Sequence, residues 1–268
     1  VSNSIDSLQQ TLLEMGYQLV IGSHEYNQKQ EVKVLQALVE SSVDGVILVG
    51  TDHDEAVFQM IERYDIPYLM MWSTDETSYP HTIGFSNRQA SYDIAKHVIA
   101  KGHRKAAICG GPVEGNERSR QRRAGVLQAF EEAGLPIKPE WVMETPFSLD
   151  GGREAIKQLL QIGELPTVLI CGTDLHAIGA MHQCQLSGIP VPDKLSITGF
   201  DDIEFASAMT PGLTTVRVPM HGIGVEVARA IVAIIDNEGA GEPLELDTMI
   251  VERDSLKALT DAETSSCC

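Results

Sequence analysis

The sequence predicts an α/β protein made of two doubly wound parallel-sheet lobes. Three observations carry this expectation: short apolar runs alternate with amphipathic helical stretches along the whole chain, the order of elements occurs twice, and each copy runs from a strand into Gly-Thr-Asp. The apolar runs are Tyr17 to Ile21, Gly45 to Val49, Tyr68 to Trp72, Ala106 to Cys109, Trp141 to Thr145, Val168 to Cys171 and Leu195 to Gly199. Helical periodicity fills the intervals at roughly Gln28 to Ser41, Asp54 to Tyr64, Asn87 to Lys101, Arg118 to Ala133, Gly151 to Ile162, Leu175 to Leu186 and Met220 to Asn237. Alternation of this kind builds βαβ units, whose parallel sheets carry helices on both faces.

The repeat splits the chain. Leu13-Glu14-Met15-Gly16 leads through a strand and a helix to Gly50-Thr51-Asp52, and about 120 residues later Glu131-Glu132-Ala133-Gly134 leads the same way to Gly172-Thr173-Asp174. Strand C-terminal ends carry the ligand-facing loops of such sheets, so both Gly-Thr-Asp segments either line a shared cleft or cap the helices that follow. Gly102-His103-Arg104, Pro219 and Gly239 to Gly241 are the hinge candidates, three crossings in all. They divide the chain into residues 1–101 with 219–238, residues 102–218 with 239–260, and a tail at 261–268.

Composition bounds the function. The net charge is −18, from 38 acidic and 20 basic residues, and such a surface repels a phosphate backbone. Cys109, Cys171 and Cys184 sit in apolar contexts, Cys267 and Cys268 close the chain, and no metal-ligand or redox spacing appears. They are expected to be buried small apolar residues in a reducing compartment. No apolar run approaches the roughly 18 residues of a membrane span. Gly222-Ile223-Gly224 with Val227 supplies only two glycines of a dinucleotide fingerprint, and no phosphate loop, zinc helix or nucleophile elbow is present. The reading expects no enzyme, no cofactor and no metal.

From Val43-Asp44-Gly45-Val46-Ile47-Leu48 onward the motifs become specific. Ile66-Pro67, Gly84-Phe85-Ser86-Asn87, Lys101-Gly102-His103-Arg104-Lys105-Ala106-Ala107-Ile108 and Gly110-Gly111-Pro112 follow. Arg122-Arg123-Ala124-Gly125, Gly172-Thr173-Asp174, Ile189-Pro190-Val191-Pro192-Asp193, Ser196-Ile197-Thr198-Gly199-Phe200-Asp201-Asp202 and Pro211-Gly212-Leu213-Thr214-Thr215-Val216 complete the order. In this order the sequence resembles the effector-binding core of the lactose/galactose repressor family, which has a periplasmic-binding-protein-like fold.

The resemblance implies a cytoplasmic, dimeric transcription regulator, a repressor by expectation, that senses a sugar or sugar acid between its lobes. Arg122 matches the arginine that grips the effector, Asp201 the acid that accepts from its hydroxyls, and Phe147 an aromatic that packs on it. Asp202 is expected to cap the short helix that follows. Thr173 stands where many relatives carry Asn, Gln89 where some carry Asp, and Arg118 where some carry Ser; with Asn116 these complete the implied site. Met71-Trp72 and Phe85-Ser86-Asn87-Arg88-Gln89 are similar to the gluconate-repressor branch, so Trp72 and Arg88 join it, Arg88 and Arg122 suiting a carboxylate. Helices at Leu35 to Val39 and Val57 to Ile61 are either dimer faces or core. Operator DNA is expected to be read by a helix-turn-helix headpiece outside this chain, which opens with Val1 at an amphipathic helix, Ser4 to Gly16, where the family would first place a strand. A periplasmic sugar-binding protein of a transporter shares the fold and is the alternative.

Overall fold

The computed structural model describes residues 2–74, 81–239 and 241–260; the expected tail at 261–268, with Cys267 and Cys268, lies outside them. In chain order the elements are α1 (Ser2–Glu14), α2 (Gln28–Glu40), β1 (Val46–Val49), α3 (Glu55–Arg63), β2 (Tyr68–Met71), β3 (Thr82–Gly84) and α4 (Asn87–Ala100). Next come β4 (Ala106–Gly110), α5 (Glu117–Glu132), β5 (Val142–Glu144), α6 (Leu149–Ile162), β6 (Val168–Cys171) and α7 (Asp174–Leu186). β7 (Ser196–Asp201), α8 (Glu204–Ala208), β8 (Thr214–Arg217), α9 (Met220–Ile235), β9 (Leu244–Glu245) and β10 (Met249–Val251) complete the chain. The described residues within Val1–Ser86, Glu114–Arg118 and Pro219–Asp247 form one compact unit; those within Asn87–Val113, Ser119–Val218 and Thr248–Cys268 form the other.

The first unit holds a parallel sheet in the order β1-β2-β3-β9. Leu35 of α2, Val57 and Ile61 of α3, and Val46, Leu48 and Met70 of the sheet make one buried cluster. Core packing therefore accounts for Leu35, Val57 and Ile61, and those helices do not offer them as an open face. On α9, a Cβ at Gly224 would lie 2.1 Å from Ser7 Oγ and 2.3 Å from Ser4 O, so glycine lets α1 rest directly on α9.

One expected strand does not form. Tyr17 to Ile21 is irregular, and Val20 and Ile21 are each 63% exposed. A strand exists only where its N–H and C=O groups find a ladder, and among the described residues β1 pairs with β2 alone. An apolar groove of about 450 Å³ instead runs between this segment and β1, lined by Leu8, Leu12, Leu19, Leu38 and Ile235 among others.

The second unit holds a sheet in the order β10-β8-β7-β6-β4-β5, parallel except for β10, which pairs antiparallel with β8. Alternation along β4 and β6 explains why both strands are apolar at every position. Ala106, Ile108, Val168 and Ile170 pack with Ala95 and Val98 of α4 and with Val126, Ala129 and Phe130 of α5. Ala107, Cys109, Leu169 and Cys171 join Ala155, Ile156 and Leu159 of α6 and Ala177, Ala180 and Cys184 of α7. All three of these cysteines are free and buried, small apolar residues as expected.

The same packing moves a boundary. Because Ala95 and Val98 bury against β4 and β6, α4 belongs to the second unit, and the division falls after Ser86 where the sequence pattern had put it after Lys101. With Glu114–Arg118 returning to the first unit, the chain passes between units five times, against three expected. α6 and α7 meet through glycines: a Cβ at Gly152 would lie 1.9 Å from His176 O, and one at Gly179 2.0 Å from Leu149 O.

Candidate functional site

In the second unit the C-terminal ends of β6 and β7 and the start of α4 meet at Arg122 of α5. Its Nε donates to Asn87 Oδ1 at 2.8 Å and its Nη1 to Gly172 O at 2.7 Å. The guanidinium carbon lies 3.8 Å from the centre of the Phe200 ring, and Nη1 is 3.7 Å from Asp201 Oδ1. A cation held over an aromatic face by two hydrogen bonds keeps its fork in one orientation. Asp201 ends β7 with φ of 116°, a conformation that favours glycine; a non-glycine residue there holds roughly 1–3 kcal/mol of strain.

The neighbouring acids have separate structural work. Asp202 takes Arg217 Nε and Arg253 Nη2, each at 2.7 Å, and does not cap α8, whose N-cap residue is Ile203, with no side-chain cap. Two guanidinium partners outcompete a helix N–H for one carboxylate. Asp174 is fully buried; it accepts from the Thr215 hydroxyl at 2.6 Å and from the Ile203 N–H at 2.8 Å. Burial, with Asp201 and Asp202 adding to it, pushes its carboxyl up to about 7 against the lowering effect of the two donors.

Thr173, not Asp174, caps α7: its hydroxyl oxygen accepts from the His176 N–H. His176 Nε2 reaches Pro146 O at 2.8 Å and Nδ1 reaches Thr173 Oγ1 at 3.0 Å. The carbonyl can only accept, so Nε2 carries the proton and Nδ1 accepts from Thr173. Burial holds the imidazole below its ordinary value, hence neutral. Its ring lies 5.7 Å from that of Phe147. Gly111 makes room for Phe147, since a Cβ there would meet the ring at 2.1 Å.

Arg88 and Gln89 are exposed on α4. Arg88 Nε donates to Gln128 Oε1 at 3.1 Å and Gln89 Nε2 to Asp93 Oδ1 at 2.8 Å.

The remaining expected residues belong to the first unit. Trp72 follows β2 with φ of 78° and is buried; its N–H donates to Ile83 O. Asn116 is buried, and Arg118 lies 5.8 Å from the Tyr26 ring centre and 3.7 Å from Glu117 Oε1. His53 joins Glu31 Oε1 at 2.6 Å and Gly50 O at 3.1 Å. Burial lowers its pKa, but Glu31, the Gly50 carbonyl and Glu117 together raise it above the ordinary value. Asp54 rather than Asp52 caps α3. Asn87, Phe200, His176, Tyr26, Glu31 and Glu117 were not among the expected site residues; only Asn87 stood inside a quoted motif as a polar side chain without an assigned role.

A family model described as a periplasmic binding protein-like domain matches residues 95–256, more than half of the chain. The chain belongs to this family. Within it, the core is similar to the HTH-type transcriptional repressor PurR of Salmonella arizonae, 27% identical over 255 residues that are 94% of this chain and 74% of that protein. The transcription regulator GntR from Chromobacterium violaceum superposes with a TM-score of 0.88 at 29% identity, covering 95% of this chain and 93% of that one. A LacI-family regulator from Silicibacter pomeroyi gives 0.86 at 28% identity, covering 96% and 94%. The regulator CelR in complex with cellobiose gives 0.84 at 25% identity, covering 95% and 78%. This domain is therefore the effector-binding core of a LacI-family transcriptional regulator, and its relatives are regulators, not enzymes or transporter-borne binding proteins. No helix among the described residues of this regulator core is long and apolar enough to cross a membrane.

Proposed function

We propose that this core senses a sugar or sugar acid through Arg122, Asp201, Phe147 and Thr173 of the second unit; Arg88 and Gln89 of the same unit, and Trp72, Asn116 and Arg118 of the first, are the further effector residues that the family resemblance implies. The observation that carries the reading is the fixed Arg122 fork over Phe200, 3.7 Å from Asp201. A planar donor fork beside a carboxylate acceptor matches adjacent hydroxyls, and the fork matches a carboxylate equally well. Phe147 offers an apolar face for a sugar's C–H groups. The structural relative bound to cellobiose supports the ligand class.

In this reading the core performs no catalysis and works as a homodimer in the cytoplasm. The effector shifts a conformational equilibrium only by its differential affinity for two arrangements, and so changes how paired helix-turn-helix headpieces meet operator DNA. The acidic surface of the core supports leaving DNA contact to such a headpiece.

A thermal-shift titration of the chain with D-glucose, cellobiose and D-gluconate tests this. At least one is expected to raise Tm, and Arg122→Ala is expected to weaken that ligand about 10- to 100-fold by removing charge-assisted bonds. Shifts unaffected by Arg122→Ala would remove the site; shifts with neutral sugars and none with gluconate would remove the acid.

A further inference from the structure

In the first unit, Glu117 is the second buried carboxylate beside His53, after Glu31, and its side chain is only 5% exposed. It lies against the backbone at the C-terminal end of β1: a Cβ on Gly50 would come within 2.7 Å of both carboxylate oxygens, so only glycine leaves it room. Glu117 Oε1 and Arg118 Nε are both buried without a hydrogen-bond partner among the described residues, and they are 3.7 Å apart. A buried carboxylate oxygen lacking a donor, beside a buried N–H lacking an acceptor, is costly for each group separately. The gap is too long for a direct hydrogen bond, but an oxygen placed roughly 2.8 Å from each atom spans it.

Only a group that donates and accepts at once satisfies both. A hydroxyl does so, giving its proton to Glu117 Oε1 and receiving the Arg118 Nε–H, whereas a carboxylate or a methyl serves at most one side. Gly50 and His53, in the loop that follows β1, lie beside Glu117, at a strand end of the kind where open α/β sheets place their ligand sites. We propose that Glu117 and Arg118 form a hydroxyl receptor that makes Glu117 a specificity determinant, reading one particular hydroxyl of the effector. This rests on the effector being polyhydroxylated, as argued above. A site built to bond a hydroxyl rejects the analogue lacking it, because the buried pair is then left unsatisfied.

The test uses the whole chain, with D-gluconate, D-glucose and their monodeoxy analogues as probes of affinity, and two variants, Glu117→Leu and Glu117→Gln. For the probe that binds, one deoxy analogue is expected to bind about 10- to 100-fold more weakly than its parent. Glu117→Leu is expected to bind that pair within threefold of each other. Glu117→Gln, which keeps an acceptor oxygen, restores part of the discrimination; a merely structural role for Glu117 would weaken parent and analogue alike. Discrimination that persists unchanged in Glu117→Leu overturns the proposal.

A crystal structure of the ligand-free chain judges the pair independently of any sugar. A water oxygen bonded to both Glu117 Oε1 and Arg118 Nε sustains a hydroxyl receptor, and a direct Nε–Oε1 hydrogen bond refutes it. If no probe raises Tm, the sugar reading fails, and this structural outcome alone decides the receptor.

Discussion

Neutralising Asp174 should remove a pH dependence from the second unit. The side chain is fully buried, and its carboxyl is pushed from 3.8 to about 7, chiefly by burial, with Asp201 and Asp202 adding their charge. The sign follows from proton linkage: a native state that holds the proton more tightly than the unfolded chain gains stability as pH falls. The stabilisation is therefore complete below about pH 4 and is lost as pH rises through about 7. Near 1.4 kcal/mol per unit, a shift of about three units bounds the effect at roughly 4 kcal/mol. Asp174→Asn reproduces the protonated hydrogen bonds, its amide NH₂ donating to Thr215 Oγ1 and its carbonyl accepting the Ile203 N–H.

Trp141 is buried in the core of the second unit, so in a Trp72→Phe background, where it is the sole tryptophan, its fluorescence reports that unit's unfolding. Urea midpoints at pH 5 and pH 8 are expected to fall with pH more steeply for aspartate than for asparagine, by roughly 3 kcal/mol after conversion, because only the part of the effect between pH 5 and about 7 lies in that window. Equal slopes would refute the buried-charge argument. A loss above about 2 kcal/mol for Asp174→Asn at pH 5 would refute the hydrogen-bond assignment.

The two helix glycines give a second expectation: Gly152→Ala forces α6 off α7, and chemical denaturation should register a loss of about 2 kcal/mol or more, since backbone and not a flexible side chain stands 1.9 Å away. His53 gives the same pH sense in the first unit. Its raised pKa means that the contact with Glu31 stabilises the first unit below pH 6.5 and that this is lost as pH rises through the folded value; Trp72 fluorescence melts of Glu31→Gln should show the dependence flattened. Asp202→Ala removes the carboxylate shared by Arg217 and the largely buried Arg253, whose guanidinium keeps its bond to Leu213 O, and calorimetry should find a destabilisation of roughly 1–3 kcal/mol. The open edge of β1 beside the groove should promote self-association at high concentration, and Val49→Lys, at a half-exposed edge position, should suppress it in light scattering.

Local pattern carried the helices well, because amphipathic periodicity and caps such as Asn27, Asp54 and Ser148 are written within a few residues of each other. It carried the central strands for the reason visible in β4 and β6: two buried faces demand an unbroken apolar run. Tyr17 to Ile21 has the composition of a strand, but composition cannot supply a ladder. β8 was read as a motif rather than a strand because Thr214 and Thr215 are polar, and their burial is repaid by Arg253 O and the Asp174 carboxylate, 39 and 41 residues away.

The site shows the same divide. Arg122 and Asp201 were recognisable as motif residues with a role, whereas Asn87 and Gly172, which hold the guanidinium, stand in motifs 35 and 50 residues distant that do not reveal the contact. Glu117 stands one residue before the helical stretch read from Arg118 and carries no expected role in the sequence. Only the glycine under it at position 50 shows why it is buried.

Asp201 keeps a carboxylate where the main chain favours glycine. A variant library sorted for heat resistance alone would accordingly enrich Asp201→Gly early, releasing stored torsional energy while discarding the acceptor that faces Arg122. Thermostabilised derivatives of this core should be screened for ligand response at each round, because the cheapest gain in robustness and the loss of sensing coincide at one backbone torsion.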